Sequence, residues 1–178
     1  MRGEAMELPG SSYLYTIFTG SITYAGFAAL IMMFRQTIGG RVSNYDIFII
    51  RTVLMRSFIV AISAMMPPLF ALFNLSQSVI WRVSSLIAAL LMGSYVLTFR
   101  MRRRAVTDIP MPTFSLMSHV LGTFVAIFVL MVALGLFVEP AAGLFAFGVT
   151  AFLLLSFFTY LAQLDVLIRG HPDKKKRK

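Results

Sequence analysis

Hydrophobic residues in this chain fall into five long runs, separated by short segments where charge, glycine and proline collect. Each run is about 20 residues long, which is what a helix rising ~1.5 Å per residue needs to cross ~30 Å of hydrocarbon. The pattern predicts transmembrane helices over residues 12–34, 52–75, 79–99, 114–138 and 141–164. The fold class expected is therefore an all-α integral membrane protein, a five-transmembrane-helix bundle. Residues 12–168 form its membrane domain, with a short tail before it (1–11) and a polybasic tail after it (169–178).

Polar residues inside the runs are not scattered. On a helix turning 100° per residue, Arg56, Ser63, Pro67 and Asn74 lie at about 0°, −20°, +20° and 0°. Such a stripe on a lipid-bathed helix is expected to face protein or water. Residues 57–75 can cross the bilayer without Arg56, so this arginine is expected at the inner boundary, its guanidinium snorkelling to headgroups. Pro67 and Pro68 lack backbone donors and predict a kink or local opening that frees carbonyls near Ser63 and Ala64.

The other runs repeat the theme. In the first, Thr16, Thr19, Gly20 and Thr23 share a face of small residues on which a neighbouring helix is expected to pack. In the third, Trp81 suits the outer interface, while Arg82, Ser85, Ala89 and Gly93 lie within roughly 80° and are expected to face the bundle. Arg82 is close enough to the boundary to snorkel. Ser115, His119, Gly122, Thr123 and Ala126 form one face of the fourth run, and Ser156, Thr159 and Gln163 one stripe of the fifth.

The segments between the runs set an expected orientation. Arg35 and Arg41 follow the first run, Arg100, Arg102, Arg103 and Arg104 the third, and Lys174, Lys175 and Lys176 lie beyond the fifth. By the positive-inside rule these segments are cytoplasmic, which places the N-terminus outside and the C-terminus in the cytoplasm. Arg100, Arg102, Arg103, Arg104 and the three lysines are expected to contact anionic lipid on that side. Short loops point to a bacterial inner membrane. A chain that is 58% hydrophobic and 13% charged has too much apolar surface for a soluble core of 178 residues. Its net charge of +9 thus reads as topology, with no nucleic-acid partner expected.

Candidate chemistry is sparse. The sequence has no cysteine, no phosphate-cradling glycine loop, no HExxH and no GxSxG. His119 is the one histidine within a run, so no metal site or cofactor is expected, and no residue is nominated as catalytic. Glu139 precedes Pro140 and reads as an acidic helix-start residue, with a second role open to it as counter-charge to Arg82. By depth, Arg56, His119 and Gln163 should share the cytoplasmic third, and Asn74, Arg82 and Glu139 the outer third.

Two functions accommodate such faces. The first is a non-enzymatic accessory or scaffold subunit of a membrane assembly, with a membrane-protein partner or further copies of itself. The alternative is a homo-oligomeric channel or transporter with a cationic, anion-favouring path. The orientation is directly testable: a reporter fused after Lys178 should read cytoplasmic, and an external reading would overturn the loop argument.

Overall fold

Every hydrophobic run becomes a helix, because in hydrocarbon each backbone N–H and C=O must be satisfied within its own segment. The computed structural model describes residues 8–37, 44–106, 113–137 and 141–169. It contains α1 (Ser11–Thr37), α2 (Asn44–Ala71), α3 (Gln77–Arg104), α4 (Thr113–Ala133) and α5 (Ala141–Arg169). All five are long and apolar enough to cross a membrane, as in a multi-pass helical bundle. Glu139, Lys174, Lys175 and Lys176 lie outside the described residues.

The helix ends depart from the hydropathy boundaries for identifiable reasons. α2 runs on through Pro67 and Pro68 but stops at Ala71, and Leu72 and Phe73 donate to the carbonyls of Leu69 and Phe70 in a tightened turn. Asn74 then takes a left-handed conformation at φ 54°, one of the few non-glycine residues that tolerates it. It is thus a turn residue, exposed, and not the end of the Arg56 stripe. α4 ends at Ala133, before the apolar run is finished. Gly135 adopts φ 71° and Leu136 N–H reaches back to the Met131 carbonyl at 3.2 Å, a Schellman closure that a β-carbon at Gly135 would strain. At the other end of the bundle the helices outrun the apolar spans: α3 carries Arg102, Arg103 and Arg104 in its last turn, where they complement the negative end of the helix dipole.

α2 is the hub. It packs on α1, α3 and α5; α4 closes the group by packing on α3 and α5, and α1 lies outside, against α2 and α5. The helices alternate in direction. Asn44 and Phe48 at the start of α2 meet Arg102 at the end of α3, while Trp81 and Arg82 at the start of α3 meet Val132 at the end of α4 and Ala141 at the start of α5. The last turns of α3 and α5 therefore lie at one end, which carries Arg102, Arg103 and Arg104 and is called here the basic end.

Two of the expected faces are corrected by this packing. α1 buries Leu14, Ile17, Ser21, Ala25, Ala28 and Met32, and leaves Thr16, Thr19, Gly20 and Thr23 exposed. The hydroxyls of Thr16 and Thr19 donate to the carbonyls of Ser12 and Tyr15, one turn back, so they need no neighbour. What sets the rotation of α1 is its tyrosines: Tyr24 Oη donates to the Ser156 carbonyl at 3.0 Å, and Tyr13 Oη pairs with Thr150 Oγ1 at 2.8 Å, both on α5. Trp81 is the second correction. Its ring is buried, 5.8 Å from that of Phe145, and so is turned into the bundle and not outward.

α4 and α5 approach closely where Gly148 leaves room. A β-carbon there would fall on Cγ2 of Val129, a β-branched side chain with little rotamer freedom. A β-carbon added at Gly93 on α3 would meet nothing within 4 Å among the described residues. Gly148→Ala should therefore lower stability by about 1–3 kcal/mol, while Gly93→Ala should be neutral or gain up to ~1 kcal/mol. Thermal unfolding of the two variants in one detergent checks the contrast, and equal midpoints would contradict it.

Candidate functional site

Arg56 sits on the face of α2 that also carries Val53, Val60, Ser63, Ala64 and Pro67, all buried. Only 4% of its surface is exposed. The expected snorkelling therefore does not occur: the side chain turns into the bundle. The physical reason is the supply of acceptors there. Nε donates to Tyr95 Oη on α3 at 3.0 Å. Nη1 has Thr159 Oγ1 on α5 at 3.2 Å, Ser118 Oγ on α4 at 3.3 Å and the Leu155 carbonyl on α5 at 3.5 Å.

The two hydroxyls form a directed chain. Thr159 gives its single proton to the Leu155 carbonyl at 2.6 Å, so Ser118 must be the donor in the 2.5 Å bond between Ser118 and Thr159. That leaves lone pairs on both oxygens aimed at Nη1. Aromatic rings add to the cage, the guanidinium carbon lying 5.1 Å from the Tyr95 ring centre and 5.7 Å from that of Phe152.

All of these acceptors are neutral. A guanidinium buried among neutral groups has given up its water, so it depends on every dipole that reaches it. Here the dipoles come from α3, α4 and α5, and the cation from α2. One side chain thus ties four helices at a single level. Tyr95 is shared with a second arginine: the Arg102 guanidinium carbon lies 4.7 Å from its ring centre, and Arg102 Nη2 donates to its carbonyl at 2.9 Å.

The other residues singled out in the sequence are placed differently. His119, next to Ser118, is buried against Phe99, with ring centres 4.7 Å apart, and its Nδ1 has no hydrogen-bond partner among the described residues. Its backbone carbonyl accepts from Thr123 at 2.9 Å. Ser63 is buried and donates to the Ile59 carbonyl one turn back at 2.7 Å, a bond within α2. Arg82 is exposed, unlike Ser85 and Ala89 on the same expected face, and its guanidinium covers the backbone of Gly135. The Gln163 side chain and Glu139, the suggested counter-charge of Arg82, lie outside the described residues. Among the described residues no three His, Asp or Glu side chains gather as a metal would require.

Along the helices, Arg56 meets Ser118, the residue before His119, and Thr159, one turn before Gln163. Tyr95 and Phe152 were missed. Tyr95 lies about 140° from Arg82 around α3, off the small polar face, and the one signal for it was a lone phenol inside an apolar run. No family model, curated protein or solved structure matches the chain.

The bonds rank the partners. Tyr95→Phe removes the acceptor that Nε has among the described residues and should cost about 1.5–3 kcal/mol, the range for a hydrogen bond to a charged group. Ser118→Ala leaves Thr159 and the Leu155 carbonyl on Nη1 and should cost about 1 kcal/mol or less. Denaturant unfolding in mixed micelles measures both, and a larger loss for Ser118→Ala would contradict this geometry.

Proposed function

We propose that this chain is a non-enzymatic accessory or scaffold subunit of a membrane assembly, in which Arg56 acts as an internal clamp. The supporting observation is where its donors go: Nε and Nη1 are directed to acceptors of the chain's own helices. A guanidinium that selects a passing anion needs donors turned toward a hydrated space. Arg56 instead lines neither the apolar groove between α4 and α5, nor the cleft between α2 and α3, nor the pocket beside Arg82. A clamp of this kind gives the bundle a fixed shape on which a partner can dock, and leaves large apolar side chains such as Phe27, Phe34, Leu97 and Phe124 on the outside for lipid or a partner helix.

Reconstitution separates this reading from a homo-oligomeric channel. Folded protein in liposomes should pass neither chloride nor potassium above the level of empty vesicles, and extraction in mild detergent should bring down a stoichiometric membrane partner. Chloride flux that is lost in Arg56→Ala would reverse the conclusion and make Arg56 part of a path.

A further inference from the structure

At the basic end, a cleft of about 460 Å³ opens between the start of α2 and the end of α3. Its walls combine two kinds of side chain. Arg51, Arg102 and Thr52 supply charge and hydrogen bonding, and Ile47, Met55 and Val106 supply apolar surface. None of the described lining residues is acidic. Arg51, Ile47, Met55 and Val106 are exposed, so the cleft is open toward the surroundings of the bundle.

Arg102 is poorly matched inside the protein. Nη1 is directed at the Met55 sulfur, a weak acceptor, and Nε is buried with no hydrogen-bond partner among the described residues. Its one strong bond, to the Tyr95 carbonyl, holds it against the ring that also carries Arg56. Two guanidinium groups thus share Tyr95, and a third, Arg51, borders the same cleft. The acceptors of the first two are neutral. A positive cluster beside hydrocarbon attracts an anion, and guanidinium groups match phosphate through paired N–H bonds.

We propose that this cleft is a binding site for one anionic phospholipid. Its phosphate lies between Arg51 and Arg102, where Nη1 of Arg102 exchanges the sulfur for a charged oxygen. One acyl chain runs along Ile47, Met55 and Val106. The mixed walls favour a lipid over a free phosphate ester, for which the apolar half would have no use. This differs from diffuse attraction of the whole basic end, since Arg100 and Arg104 are exposed there but do not line the cleft. It also stands independently of the scaffold reading, which concerns Arg56 and a protein partner.

Native mass spectrometry of the full chain in detergent, titrated with phosphatidylglycerol or with phosphatidylcholine of the same acyl length, tests the site. One phosphatidylglycerol per chain should be retained about tenfold more tightly than phosphatidylcholine, and Arg51→Gln should erase most of that difference. The pair Arg100→Gln with Arg104→Gln should leave it unchanged. Arg51 is exposed, so its variant does not disturb packing, and Arg51→Gln with Arg102→Gln extends the test. Equal retention of both lipids overturns the proposal, as does retention untouched by Arg51→Gln or reduced as much by the Arg100 and Arg104 pair. Displacement of the lipid by millimolar inorganic phosphate or glycerol 3-phosphate would assign the cleft to a soluble phosphate ester and overturn the lipid.

Discussion

A guanidinium whose hydrogen-bond acceptors among the described residues are all neutral is the constraint on which this bundle depends. Arg56 brings a guanidinium into the interior of the bundle, where only 4% of its surface is exposed and its donors depend on acceptors supplied by the protein. It is held by a phenol, two hydroxyls, a carbonyl and two ring faces, drawn from α3, α4 and α5. Each of these dipoles is worth little alone. Their effect lies in arriving together, which needs the four helices at one rotation and one depth. The clamp therefore specifies the arrangement of helices as well as stabilising it.

This matters more in a bilayer than in water. Lipid tails are as apolar as leucine, so exposure of a hydrophobic face does not by itself drive helices together. Close approach and polar contact decide which faces meet. Gly148 against Val129 is an instance of the first, and the Arg56 cage of the second. α1 shows the same rule from outside the clamp. Its threonines, satisfied by their own backbone, turn away, while two tyrosines reach α5 and set its rotation.

The two ends of the bundle treat their arginines differently. Arg82 lies over the Gly135 turn, exposed. At the basic end, Arg102 is half-buried against Tyr95 and linked through that ring to Arg56. Charge at this end is thus layered. Arg56 is sealed within the core, Arg102 stands at the edge of a cleft, and Arg51, Arg100 and Arg104 are exposed. Only the outer layers are open to an anion from the surroundings.

How much of this was legible beforehand follows from the range of the forces. The five helices were determined by sequence alone, since length and hydropathy are local and the backbone has no other way to satisfy its bonds in hydrocarbon. The inward face of α2 was also visible, because the helical repeat aligns Arg56, Ser63 and Pro67 whatever surrounds them. The ends of α2 and α4 were less so, as they turn on φ at Asn74 and Gly135 more than on apolarity. The fate of Arg56 was decided by tertiary structure. Snorkelling and burial are both open to an arginine near a boundary, and the choice rests on whether acceptors lie within about 3 Å. Those acceptors sit 39, 62 and 103 residues away along the chain, on Tyr95, Ser118 and Thr159, and no local pattern announces that they converge.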